Sequence, residues 1–157
     1  IKYDSESMKL ITLFESMTGA KVKDCISNAD MRGSRREMHA SSSAREQHSL
    51  ASSLIFVMEE NEMGKAIGKN GINIKRIENK LRKKIKLVEF SSDVLQFVKN
   101  MVYPIQVSGI DEHEGIVTIH GKDTSTKAII IGRARQNINH LSDIVKRYFN
   151  IKEIKVE

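Results

Sequence analysis

The residues best suited to chemistry in this chain are Ile67-Gly68-Lys69-Asn70-Gly71. Two glycines three positions apart let the main chain turn tightly, and neither carries a Cβ to block a close approach. The apolar spacing predicts a short helix over 63–68 before this run and a longer one over 72–84 after it. A helix beginning here offers unpaired N–H groups and the positive end of its dipole, which suits a phosphate. Lys65, Lys69 and Lys75 add full charges around that point. The chemistry on offer is recognition of a phosphate backbone. A glycine loop can pin a single strand while its bases lie on an apolar groove made by the helices and the neighbouring strand.

Rival chemistries fail on detail. Gly64-Lys65-Ala66-Ile67-Gly68-Lys69-Asn70 is one residue short of a nucleotide-binding P-loop, and Asn70 stands where a Ser or Thr would hold Mg²⁺. Asp111, Glu112, His113 and Glu114 fall in what the pattern predicts as a solvated turn. His39 and His48 are nine apart, poor spacing for a metal. Cys25 is the only cysteine, which excludes an internal disulfide and a multi-Cys zinc site, points to a reducing compartment, and reads as a buried strand thiol. No catalytic constellation, metal site or cofactor box emerges, so the expectation is a protein that is not an enzyme. Lys75, Arg76, Lys80, Arg82, Lys83 and Lys84 form a charge run of the kind that usually lines a solvated helix face, and only Lys75 sits on the early turns next to the loop. Glu59, Glu60 and Glu62 place acid just before it, either capping the next helix or repelling a polyanion on that side.

These residues must be positioned by an α+β framework. Helix is expected over 5–18, with Ser5 as cap and Gly19 as stop, then strands over 21–27 and 54–59, the second more apolar and central. Helices over 63–68 and 72–84 follow, the second with Ile74, Ile77 and Leu81 on its core side, and a strand over 86–90 closes the unit. The order then starts over: a helix over 94–103 stopped by Pro104, strands over 105–110 and 115–120 joined by a polar turn over 111–114, helices over 124–131 and 133–149, and a strand over 152–156. A shift of 64 positions lays Ile67-Gly68-Lys69 on Ile131-Gly132-Arg133, Ile74 on Ile138, Ile77 on Leu141 and Leu81 on Val145. Two small domains of one kind are expected in tandem, 1–92 and 93–157, sharing an interface because each alone is small.

The segment 28–53 does not fit this pattern. It contains no Lys but four of the nine Arg, six Ser after position 40, and no helical or strand period. Two readings stand side by side. One is a natural basic hairpin loop; the other is a foreign graft, because Met31-Arg32-Gly33-Ser34 resembles the start of a vector-encoded tag and the chain would then be an engineered carrier. Its net charge is only +1, from four Arg against Asp30, Glu37 and Glu46, so the chain's +6 belongs mainly to the domains.

The pattern Ile-Gly-x-x-Gly between two helices, in this order of strands, resembles a KH domain of type II. Doubled, and with the string Met63-Gly64-Lys65-Ala66-Ile67-Gly68-Lys69-Asn70-Gly71-x-Asn73-Ile74-Lys75-Arg76, it resembles the archaeal NusA-like transcription factors over the whole chain except 28–53. The resemblance implies two tandem type II KH-like domains, each a three-stranded sheet covered by helices. It also implies binding of single-stranded RNA during transcription and contact with RNA polymerase in termination or antitermination. The RNA-binding residues expected are Lys65, Ile67, Gly68, Lys69, Asn70, Gly71 and Lys75, with Gly132, Arg133 and Arg135 in the second loop. That second loop departs from the pattern, because Arg135 stands where the last glycine would be. A bulky side chain there is expected to obstruct the backbone approach, leaving Arg133 and Arg135 to grip phosphate by charge. The alternative is a scaffold whose KH folds contact proteins and not RNA.

Composition agrees with such a partner. A pI near 9.4 suits a polyanion, and an aromatic content of 5% without Trp disfavours a module that stacks bases on a sheet. The longest apolar runs, such as 54–58 and 128–131, are far below the ~20 residues that span a bilayer. With no basic-then-apolar leader at Ile1, the expected location is the cytoplasm, with no membrane partner.

Overall fold

The computed structural model describes residues 4–27 and 54–157. The segment 28–53, read above as natural loop or graft, lies outside the described residues. Two compact units are present, one formed by 4–27 with 54–91 and the other by 92–157.

The first unit opens with α1, Ser5–Thr18. Asp4, and not Ser5, caps it: the Asp4 carboxylate accepts the Ser7 N–H at 2.6 Å, which a residue already inside the helix cannot do in the same way. Gly19 ends it in a left-handed conformation and donates its N–H to the Glu15 carbonyl. β1, Val22–Ser27, runs antiparallel to β2, Leu54–Met58, and β2 runs parallel to β3, Ile85–Glu89, in the order β1-β2-β3. β2 is central and buried at every position. Leu54, Phe56 and Met58 pack with Ile11 and Phe14 of α1, Ala66 of α2 (Met63–Ile67) and Ile77 of α3 (Ile72–Leu81). The Phe14 and Phe56 rings lie 4.5 Å apart between centroids. Cys25 is buried in the same core, as expected of a strand thiol. The pairing of β1 slips between Val22 and Asp24, and Asp24, Cys25 and Ile26 are buried in succession. Asp24 is fully buried and accepts the Cys25 N–H at 2.8 Å.

The second unit repeats the plan. α4, Val94–Val102, is capped by Asp93 and ends before Tyr103 and a cis Pro104. β4, Val107–His113, pairs antiparallel with β5, Ile116–Gly121, and β5 pairs parallel with β6, Glu153–Val156. α5, Thr124–Ile131, and α6, Gln136–Lys146, contribute Ile130, Ile138, Leu141, Ile144 and Val145 to the buried set. Asp123 caps α5, and the Thr126 N–H it accepts holds its carboxyl below the ordinary range.

Three expected elements differ in the structure. Asp111, Glu112 and His113 belong to β4 and not to a turn: the reversal is confined to Glu114 and Gly115, both at positive φ, so the hairpin needs only two residues. Asp111 then reaches across the sheet to His120, with Oδ2 2.6 Å from Nε2. The long helix expected over 133–149 is also shorter, because Arg133–Arg135 form a separate tight turn and the chain leaves the helix after Lys146. In the first unit Arg82 at φ 53° ends α3 at Leu81, three residues before the expected limit. Both units are thus a three-stranded sheet covered by helices. Among the described residues no helix is long and apolar enough to cross a membrane, and no three His, Cys, Asp or Glu side chains gather as metal ligands.

Candidate nucleic-acid interface

The junction of α2 and α3 is built by its backbone. Gly68 sits at φ 74°, ψ 173°, a region open essentially only to glycine. The turn Lys69–Gly71 follows, with Asn70 at φ 55°, ψ 27° and Gly71 at φ 73°, ψ 19°. Within it the Gly71 N–H donates to the Gly68 carbonyl at 3.2 Å and the Ile72 N–H to the Lys69 carbonyl. The Lys69 and Asn70 N–H groups have no partner among the described residues. They sit at the tip of the loop with Lys69 and Asn70 exposed.

A residue outside the expected set holds this shape. Asn73 donates its Nδ2 to the Lys65 carbonyl at 2.9 Å, tying the first turn of α3 to the end of α2. A Cβ on Gly68 would lie 2.7 Å from that nitrogen, so the clasp and a side chain at 68 exclude each other. A Cβ on Gly71 would meet nothing within 4 Å, so only its φ favours glycine there.

The second loop reproduces the first almost angle for angle. Gly132 has φ 74°, ψ 171°, Ala134 has φ 54°, ψ 30°, and Arg135 has φ 60°, ψ 22°. Asn137 donates Nδ2 to the Ile129 carbonyl at 2.9 Å, and a Cβ on Gly132 would come within 2.6 Å of its Cγ. Arg135 therefore accepts a left-handed conformation and leaves the path of the loop unchanged. The open space seen around Gly71 shows why a side chain fits at that place.

The expected residues fall as follows. Gly68, Lys69, Asn70 and Gly71 form the first turn, Ile67 is half-buried behind it, and Lys75 is exposed on the first turns of α3. Lys65 is exposed on α2 with its Nζ 3.6 Å from Glu62, so that cation is shared with an acidic neighbour. Gly132, Arg133 and Arg135 form the second turn, in the other unit, with both arginines exposed. Asn73 and Asn137 are what sequence reasoning missed. Their signal was available, since both stand five residues after the first glycine of their loop and 64 positions apart.

Sheet, paired helices and a clasped glycine turn define a KH-domain protein, and the KH domain family matches residues 46–101 of the chain. Among curated proteins, the probable transcription termination protein NusA of Methanococcus vannielii is 33% identical over 99% of this chain and 79% of its own length. The protein of the same description from Thermoplasma acidophilum is 28% identical, covering 100% of this chain and 96% of its own. The solved "Crystal structure of APE1850" superposes with a TM-score of 0.66 at 25% identity, covering 99% of this chain and 100% of that one. The chain belongs to the archaeal NusA family.

Proposed function

We propose that this protein is a transcription termination or antitermination factor that binds single-stranded RNA through the 68–71 loop and acts with RNA polymerase. A KH domain within the NusA family makes it a non-enzymatic RNA-binding protein. The observation that carries the finer reading is the pair of N–H groups at Lys69 and Asn70, without a partner among the described residues and held in the turn just before α3. Two such donors and the helix dipole suit one phosphate of a backbone passing over the loop. Lys69 and Lys75 supply charge, Gly68 and Gly71 let the strand come close, and Ile67 lines the apolar side. Lys65 contributes once RNA competes with Glu62 for it. In the second domain Gly132 keeps the same turn, and Arg133 and Arg135 meet phosphate as guanidinium groups. The domains are taken as 1–92 and 93–157.

Replacing Lys69 and Asn70 together by Asp turns the tip acidic while leaving its geometry intact. Binding to single-stranded RNA in a filter titration should be lost with an unchanged circular dichroism spectrum. Retained affinity would remove the loop from the site.

A second reading has its own support in the second domain. Ile129, 44% exposed, stands where the first domain has Lys65, so that face is apolar where the other is basic. This favours a protein contact for the second loop region. A polymerase pull-down that survives nuclease and depends on Ile129 would assign it so.

A further inference from the structure

α3 and the three residues that follow it carry more positive charge than the loop uses, Lys75 alone being shared with the loop. Lys75, Arg76, Lys80, Arg82, Lys83 and Lys84 are all exposed. Glu78 is the sole acid among 75–84, and Lys84 alone of the six has a recorded ion pair with it, at 3.7 Å. The internal repeat provides the comparison. The corresponding stretch of the second unit, 139–148, holds only Lys146 and Arg147 against Asp143. Both helices bury matching stripes, with Ile77 and Leu141 wholly buried in each. Core packing therefore does not call for the cations.

Helix electrostatics do not call for them either. Lysines and arginines near a helix C-terminus complement the dipole, which accounts for Lys80 and Arg82. Lys75 and Arg76 lie near the N-terminus, where the dipole opposes cations, and six like charges in ten residues repel one another. Around the loop the charge is lopsided: Glu59, Glu60 and Glu62 precede α2, whereas cations recur on successive turns of α3. With ten residues, α3 extends the basic track ~15 Å away from the loop.

We propose that this face of α3, with Arg82, Lys83 and Lys84 just after it, is a second, purely electrostatic contact for single-stranded RNA. Phosphates leaving the 68–71 loop run along Lys75 and Arg76 to the Arg82-Lys83-Lys84 end, and the acidic side before α2 turns them away. The strand thereby acquires one direction across the domain. This rests on the RNA-binding reading above and extends it from the four nucleotides a KH loop clamps to a longer footprint.

The test compares the full chain with a Lys80→Gln/Arg82→Gln/Lys83→Gln variant, using a tetranucleotide and a dodecanucleotide of RNA over a salt series. A charge-matched control, Lys9→Gln/Lys99→Gln/Lys152→Gln, removes three exposed cations elsewhere. At about 0.7 per phosphate for a single strand, losing three contacts should make the log Kd against log salt slope shallower by about 2 on the dodecanucleotide. The tetranucleotide should bind as before, and the control should keep the wild-type slope. An unchanged slope on the long RNA overturns the proposal, as does an equal loss on both RNAs or in the control. If the variant binds the long RNA normally but releases an acidic protein partner, the patch belongs to that partner and the proposal falls. Failure of the wild-type protein to bind either RNA would instead remove the RNA-binding reading itself, and this extension with it.

Discussion

Replacing Gly68 by alanine tests the loop where its geometry is most demanding. At φ 74°, ψ 173° a Cβ carries strain of about 1–3 kcal/mol. That Cβ would also lie 2.7 Å from Asn73 Nδ2 and 2.8 Å from its Cγ, displacing the side chain from the Lys65 carbonyl and losing a hydrogen bond of about 0.5–1.5 kcal/mol. A stiffer unfolded chain returns about 0.4–1 kcal/mol, so the net loss centres on about 2 kcal/mol. At Gly71 there is no clash, and the left-handed cost of about 1–2 kcal/mol, less the same return, leaves about 1 kcal/mol or below. A urea titration followed by backbone amide signals reads the first unit separately from the second. With a slope near 2 kcal/mol/M, Gly68→Ala should lower its midpoint by about 1 M and Gly71→Ala by half of that or less. In an Asn73→Ala background the clash is gone, and the cost of Gly68→Ala should shrink by about 1 kcal/mol. Equal losses at the two glycines refute the steric argument. A Gly68→Ala cost that is the same with and without Asn73 refutes the clasp.

Two further outcomes follow from the same geometry and from one half-buried lysine. Arg135→Gly relieves a left-handed arginine but loosens the unfolded chain, so the second unit should gain about 0.5–1 kcal/mol; a loss in its urea midpoint would show that Arg135 is held by contacts and not tolerated against strain. Burial pushes the Lys86 ammonium down from 10.5 to about 8. The unfolded chain then binds more protons between those values, so the burial penalty is fully present below pH 8 and lifts as pH rises towards 10.5. Stability measured at pH 7.5 and pH 10 should rise in the wild-type protein relative to Lys86→Met, and parallel changes in the two would contradict the shift.

Much of the framework was legible in the chain because its periods are clean. Ser5–Thr18 and Thr124–Ile131 lie within the limits their apolar spacing predicts. The 64-residue repeat foretold two sheets of the same order. Misreadings cluster where one residue's conformation is decided by its neighbours. Asp111–Glu114 looks like a turn from composition, yet backbone pairing with β5 extends the strand through His113. Arg82 carries no helix-stop signature, yet it adopts φ 53° and the chain continues into β3, parallel to β2.

The sequence by itself determined the order of elements, the duplication, the position of the glycine turn and the lysines around it. These follow from local rules: hydrophobic period, glycine's freedom and the charge of single residues. Only the tertiary structure decided that the second loop keeps the shape of the first despite Arg135, and that Asn73 and Asn137 add a steric reason for each first glycine to the one its backbone angles already give. Both depend on distances between residues five to eight positions apart across a kink between two helices. No period or propensity contains those distances; they exist only once each helix pair has closed on its sheet.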